Sequence, residues 1–569
     1  MKLHSAPKSA RGIPSARRHP GWPPAVLLLG LLALLPVLGE VELDKAELEQ
    51  TEELSESLAN SLLEFSVTVR ERDLKRIGEF FESPSRVTPW PALSGVPASE
   101  FKWISTAAPR VTRKRPKKVP RTGLVKSWEK FLESFSSVED ARFQVKGARF
   151  NERRAKVEGK GDLKFFLIGR DGKSHRFWVK GTGRLVAVKT GEENWQISEF
   201  QLDEVRTMRA SADLFSEVCI PAGVSNSLPR YGEPGNDDFV YHGAAAGDLN
   251  QDGLQDLVVT GINRNYLYLN QGGQFQDVAD KAGISITPPG TAPLLLDYDN
   301  DGDLDVFMAS VGEQMLFENR LVPSGRLLFF DISQEVGIAV NAIGFSATAG
   351  DVNKDGWTDV YVASYNRYGR VMPDSWHRAS NGTPNLLFLN QGNGSFREAG
   401  AAWGVRDQRW SYAAQFADIN GDGRLDLYVA NDFGENGYYV NLGDRFEDRA
   451  ASMGLLDPGN GMGVSFGDFN NDGRIDLYVT NMSSTAGNRI LDRLFPQGRG
   501  DRSGLKKLAA GNTLFEGLDG GGFRDVSGKF GPFVAGWAWG GVFVDFDNDG
   551  WEDLYSPNGF ISGKSMKDT

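Results

Sequence analysis

Two rhythms of apolar residues divide the chain. Over residues 43–82, Leu54, Leu58, Leu62, Phe65 and Val69 recur at spacings of four, four, three and four, which is one face of an amphipathic helix. "LVKSWEKFLESF", from Leu124, predicts a second helix. From Ala141 to Met208 the rhythm shortens to that of strands: "RFQVKGARF", "RAKVEGKG", "LKFFLIG", "HRFWVKGTG", "RLVAVKT" and "NWQISEFQL". Asp171-Gly172 between two of these runs is a hairpin signal. Beyond Phe215 the pattern becomes repetitive. Each unit opens with a phenylalanine-led strand and a glycine turn, at 215, 275, 329, 396, 446 and 523. A small apolar strand, an aspartate-rich loop, a "DLYV"-like strand and an "LLFLN"-like strand follow.

Helices followed by a curved antiparallel sheet resemble the cone-shaped nuclear-transport-factor-2-like (SnoaL-like) fold, which the element order implies for residues 40–209. Four short strands per repeat are the signature of a propeller blade. The fold class expected is therefore mainly β: a β-propeller over 210–569 with six calcium-loop blades, six or seven in total, preceded by a smaller α+β domain. The sixth unit lacks its "LLFLN"-like strand after "DLYSPNGFISG", so its blade is either completed elsewhere in the chain or shortened.

The first 39 residues carry Lys2, Lys8, Arg11, Arg17 and Arg18 and then the apolar run "AVLLLGLLALLPVLG". About 15 apolar residues after a basic region match a secretory signal better than a membrane span, which needs about 20. Export to the periplasm or the extracellular space is expected, an uncleaved N-terminal anchor being the alternative. No membrane span is expected after the leader. The single cysteine, Cys219, excludes an internal disulfide, so another staple is needed. A formal charge of −12 argues against nucleic acid as a partner. The basic run "PRVTRKRPKKVPR" at 109–121, with its three prolines, reads as a solvated loop.

The staple is written six times as D-x-[DN]-x-D-G-x-x-D. The candidate ligands are Asp248, Asn250, Asp252 and Asp256; Asp297, Asp299, Asp301 and Asp305; Asp351, Asn353, Asp355 and Asp359. They continue with Asp418, Asn420, Asp422 and Asp426; Asp468, Asn470, Asp472 and Asp476; Asp545, Asp547, Asp549 and Asp553. Oxygen side chains at positions 1, 3 and 5 converge when the backbone curls around a hard cation, and glycine at 6 permits the turn. An EF-hand would place glutamate at position 12, where this chain has Val259, Met308, Val362, Val429, Val479 and Ser556. The aspartate at position 9 ends the loop instead and can close the ligand shell. About six Ca²⁺ ions are expected in hairpin loops, tightest at 297 and 545, which carry four of these aspartates each.

These loops, with "GMGVSFGDFNNDGRIDLYVTNMSSTAGNRI" and "GWAWGGVFVDFDNDGWEDLYSPNGFISG", resemble the FG-GAP/VCBS-repeat propellers, and most the cartilage-acidic-protein/UnbV-related branch. The resemblance implies an extracellular calcium-binding module of binding, adhesion-like or scaffold type. Its protein or carbohydrate partner would meet the propeller loops, where the insertions bring Tyr368, Arg370, Trp376, Arg489 and Arg493. Catalysis is the weaker reading. Ser465 matches G-x-S-x-G but sits on a strand feeding Asp468, and His175, His242 and His377 are scattered. The alternative is an enzyme whose pocket lies in the N-terminal domain, which requires Trp178, Trp195 and Asp162 to converge, with the propeller as targeting module.

Overall fold

Leu58, Leu62, Phe65 and Val69 of the first predicted helix are all buried in one aromatic core. The computed structural model describes residues 45–557 except 94–97, 113–115, 154–155, 192–193, 214, 225–242, 262–263, 286–289, 367–370, 484–506, 509, 531–535 and 537. The leader, His242, Tyr368, Arg370, Arg489 and Arg493 lie outside the described residues. No helix among the described residues is long and apolar enough to cross a membrane.

The predicted helix is α1 (Lys45–Arg70). The chain turns at Arg72, which has φ of 59°, into α2 (Leu74–Glu79), capped by the Asp73 carboxylate accepting the Arg76 N–H at 3.0 Å. There follow β1 (Phe81–Val87), β2 (Ala98–Phe101), β3 (Ile104–Ala107), β4 (Lys117–Val119) and α3 (Arg121–Leu132), the second predicted helix. Four long strands complete the body: β5 (Ser137–Arg153), β6 (Lys156–Arg170), β7 (Arg176–Lys189) and β8 (Trp195–Ala210). Their sheet runs β2-β3-β8-β7-β6-β5, with β1 parallel to β8.

The six short runs of the sequence are thus four bent strands. Gly183 is read in sequence as a break, yet it sits inside β7 at a register shift. A Cβ there would lie 1.9 Å from the Gln201 carbonyl oxygen, so glycine is what lets two curved strands approach.

The concave face is filled. Phe65 meets Phe143 at 5.0 Å, and Trp90 stacks on Phe131 at 3.7 Å. The residues that the pocket alternative brings together are placed apart. Trp195 is buried in the core with its indole N–H donated to Ser57 Oγ at 2.9 Å. Trp178 points to the other face from buried Phe177 and Val179, and Asp162 is exposed, so the three do not converge.

After residue 242 the chain forms successive antiparallel sheets. The first is β9 (Ala244–Gly247), β10 (Asp256–Val259), β11 (Tyr266–Asn270) and β12 (Phe275–Asp277). The second is β13 (Gly290–Leu296), β14 (Asp305–Glu313), β15 (Met315–Asn319) and β16 (Phe329–Asp331). The third is β17 (Asn341–Gly350), β18 (Asp359–Ser364), β19 (Leu386–Asn390) and β20 (Phe396–Glu398), joined to the second where β14 pairs with β17. The fourth is β21 (Ser411–Ala417), β22 (Asp426–Asn431), β23 (Gly437–Asn441) and β24 (Phe446–Asp448). The fifth is β25 (Gly461–Gly467), β26 (Asp476–Asn481), β27 (Thr513–Gly517) and β28 (Phe523–Asp525). The last described sheet holds β29 (Val542–Val544) and β30 (Asp553–Tyr555).

The repeat frame moves by one strand from the one read in sequence. The phenylalanine-led strand does not open a unit; it pairs with the preceding "LLFLN"-like strand and ends that sheet, as Asn270↔Phe275 and Asn390↔Phe396 show. The stretch at Phe215 forms no strand among the described residues.

Neighbouring sheets share their cores. Leu427 and Val429 of β22 pack with Tyr361 and Leu387 of the third sheet, while the alternate residues Tyr428 and Ala430 pack with Leu477 and Val479 of the fifth. Both faces of the strand are covered, so "DLYVAN" is buried at all six positions and reads as a continuous rather than an alternating apolar run.

Candidate metal centre

Each acidic loop links the first two strands of its sheet, and all six curl in the same way. The position-1 carboxylate accepts the N–H groups of positions 5 and 6: Asp248 takes Asp252 and Gly253 at 3.0 and 2.8 Å, and Asp545 takes Asp549 and Gly550 at the same two distances. Asp297, Asp351, Asp418 and Asp468 repeat this arrangement. At position 3, the side-chain oxygens of Asn250, Asp299, Asn353, Asn420 and Asn470 accept the position-5 N–H. Position 5 accepts the position-7 N–H, as at Asp355 from Trp357 at 3.0 Å. Such a curl needs two left-handed residues. Position 4 has φ of 59° at Asn300, and the position-6 glycine has φ of 94° at Gly302.

In the two loops with four aspartates the carboxylates meet. Oxygens of Asp297, Asp299 and Asp305 lie within 4.8 Å of one another, and so do those of Asp545, Asp547 and Asp553. Three acidic oxygens this close repel unless a cation or protons stand between them, which fits a hard divalent ion. In the other four loops asparagine at position 3 replaces one carboxylate, and the position-5 carboxylate is satisfied locally. Asn250 and Asn353 donate to Asp252 and Asp355 at 2.9 and 2.8 Å, while Arg424 and Arg474 pair with Asp422 and Asp472.

Position 9 has a second role that the sequence did not disclose. Asp359 is fully buried; Oδ1 accepts the Asn390 N–H at 2.8 Å and Oδ2 the Val352 N–H at 3.0 Å. Asp256, Asp305 and Asp476 make the same pair of bonds, and Asp426 takes Asn441 N–H and the Tyr438 hydroxyl. These aspartates clamp the loop and the strand through backbone and hydroxyl hydrogen bonds of their own. Burial pushes the carboxyls up, to about 8 at Asp305, about 7 at Asp359 and about 6 at Asp426 and Asp476.

The loops lie side by side. Gln251 Nε2 donates to the Gly302 carbonyl at 2.8 Å, Asn300 Nδ2 to Gly356 at 3.2 Å and Asn471 Nδ2 to Gly550 at 2.8 Å, each reaching position 6 of the next loop. A second tie comes from the asparagine ending each "LLFLN"-like strand. Asn319, Asn390 and Asn441 donate to the carbonyls of Leu249, Tyr298 and Val352 in the preceding loop at 3.1, 2.7 and 2.8 Å. The recurrence of that asparagine was the available signal.

The sequence reading also missed Asp303 and Lys102. Asp303 is buried at position 7, with Oδ2 accepting the Val322 N–H at 2.7 Å; burial first, then its aspartate neighbours, raise it to about 6. Lys102, in the β2–β3 turn, places Nζ 2.7 Å from Asp547 Oδ2 and 2.6 Å from Asp549 Oδ2. The other tempting residues take structural places. Ser465 lies in β25 and accepts the Phe543 N–H at 3.1 Å. Trp376, read as a partner contact, packs edge-on against Phe433 at 5.3 Å in a loop pinned by the Ala379 N–H to the Phe433 carbonyl at 2.8 Å.

The repeating hairpins and their loops define the class of module. A model of the FG-GAP-like repeat matches residues 248–308, 297–362, 351–429 and 418–479, each span running from one acidic loop into the strand after the next. The chain carries FG-GAP-like repeats in four tandem copies. Among individual proteins it is similar to cartilage acidic protein 1. It is 24% identical to that of Mus musculus over 236 residues, covering 37% of this chain and 34% of the mouse protein. The Homo sapiens protein gives 24% over 236 residues, with 37% and 33% covered, so the match spans about a third of these relatives. An Agrocybe aegerita lectin structure, described for recognition of non-reducing terminal N-acetylglucosamine, aligns over 56% of this chain and 76% of its own at 14% identity. Its TM-score of 0.27 is too low to equate the folds.

Proposed function

We propose that this chain is an exported calcium-binding β-propeller that serves as a binding or adhesion-like module for a protein or carbohydrate partner, behind a nuclear-transport-factor-2-like N-terminal domain. The observation that carries the reading is the row of six acidic loops that share the position-1 curl, in which the two richest bring carboxylate oxygens within 4.8 Å of each other. Asp, Asn and backbone oxygens are the donors a hard divalent ion takes, and their flexible geometry suits Ca²⁺. Each ion neutralises a loop whose carboxylates otherwise repel, and the loops brace neighbouring sheets through Gln251, Asn300 and Asn471.

Ring closure in this reading uses the first phenylalanine motif. Phe215–Gly223 matches the end of each sheet in sequence and, like the end of the first sheet, carries a short helix and a left-handed glycine, φ 85° at Gly223 against 86° at Gly283. The Phe215 ring lies 5.4 Å from Phe546 on the last hairpin. That contact and the moved repeat frame support the N-terminal motif as the segment that completes the sixth blade.

Calorimetric titration of the chelator-stripped full chain with calcium tests the metal assignment. Uptake of about six ions is expected, with the tightest class reduced by Asp299→Asn. Absence of heat and of bound calcium at millimolar concentration contradicts it.

A further inference from the structure

The sixth loop already holds a cation. Among the loops at 248, 351, 418, 468 and 545, its position-5 carboxylate alone takes a side-chain cation from far along the chain: Lys102 lies 447 positions from Asp549 and 445 from Asp547. In the loops at 248 and 351 the corresponding oxygen takes an asparagine of the same loop, and at 418 and 468 an arginine of the same loop. Lys102 is placed for this contact. It forms the tight turn between Phe101 and Ile104 with φ of 47°, and the turn is fastened to β8 by the Ser211 N–H donated to the Trp103 carbonyl at 2.8 Å. Asp547 Oδ1 is out of contact with solvent and has no hydrogen-bond partner, and the oxygens of Asp545, Asp547 and Asp553 lie within 4.8 Å of one another.

Positions 3 and 5 are the oxygens a divalent ion needs. An ammonium at 2.6–2.7 Å from both and a divalent ion on the same carboxylates are two cations within a few ångströms, which repel. We propose that the Lys102 ammonium and a divalent cation compete for Asp547 and Asp549, so that ion binding at the sixth loop releases the β2–β3 turn from the last hairpin. The N-terminal domain and the repeat domain are thereby joined by a latch that opens with calcium. This rests on the metal reading of the loops. Asn471, which donates to Gly550 at 2.8 Å, extends the latch to the fifth loop.

Hydrogen exchange of the full chain, in chelator and in millimolar calcium, tests it. In calcium the loops at 248–256 and 297–305 gain protection, while the turn at 101–104 exchanges about fivefold faster, the size expected for loss of exposed ion pairs. Lys102→Met exchanges fast at the turn in both conditions. Protected loops with an unchanged turn in the wild-type chain overturn the latch and leave the metal reading intact. No change at any loop overturns both.

Discussion

Aspartate at position 5 and aspartate at position 9 of one loop have opposite surroundings. Asp355 is exposed, and its partners are a turn N–H and the Asn353 amide. Asp359 is buried and accepts two backbone N–H groups. Leaving those donors unpaired costs about 1–3 kcal/mol each. Asp359→Ala is therefore expected to lower unfolding free energy by roughly 3 kcal/mol or more even in chelator. Asp355→Ala is expected to cost under about 1 kcal/mol in chelator but to remove most of that loop's calcium response. Denaturant curves of both variants, with and without calcium, check this. Equal losses in chelator contradict the division of roles.

At the scale of the element, neighbouring sheets are held by apolar cores and by one recurring amide. Asn390 is 2% exposed and ties β19 to the preceding acidic loop through the Tyr298 carbonyl at 2.7 Å. Asn390→Ala orphans that carbonyl and the Gly392 N–H, so a loss of about 2 kcal/mol in calcium and in chelator alike is expected. A denaturant midpoint unchanged in both conditions contradicts the tie. Much of this level was legible in sequence. The face of α1 and the acidic loops followed from spacing alone, because period and ligand geometry are local. Strand partnership was not local. "FQDV" sits after "YLYLN" and before "AGI", and spacing cannot say which sheet it joins; only the pairing Asn270↔Phe275 does. The glycines of β7 misled for a related reason, since close approach to Gln201 is a property of the folded sheet. Lys102 had no signal at all, because its partners lie more than 400 positions away.

For the molecule as a whole, the ion-free loops are a source of acid-side stability. The carboxyls of Asp305, Asp359, Asp426 and Asp476 sit above their ordinary 3.8, at about 8, 7, 6 and 6. The folded chain therefore holds protons that the unfolded chain has released. Their contribution is fully present below about pH 4 and is lost as pH rises through 6 to 8. Calcium takes the place of those protons, so its effect must grow over the same interval. With dissociation constants of about 10⁻⁴–10⁻³ M, millimolar calcium contributes on the order of 0.5–1.5 kcal/mol per site. The most direct measurement is the thermal unfolding of the full chain in millimolar calcium and in chelator, at pH 8 and at pH 5. A rise in Tm of about 10 °C with calcium at pH 8, shrinking to a few degrees at pH 5, is expected. Superimposable curves at pH 8 contradict the claim that these loops are cation sites bracing the repeats.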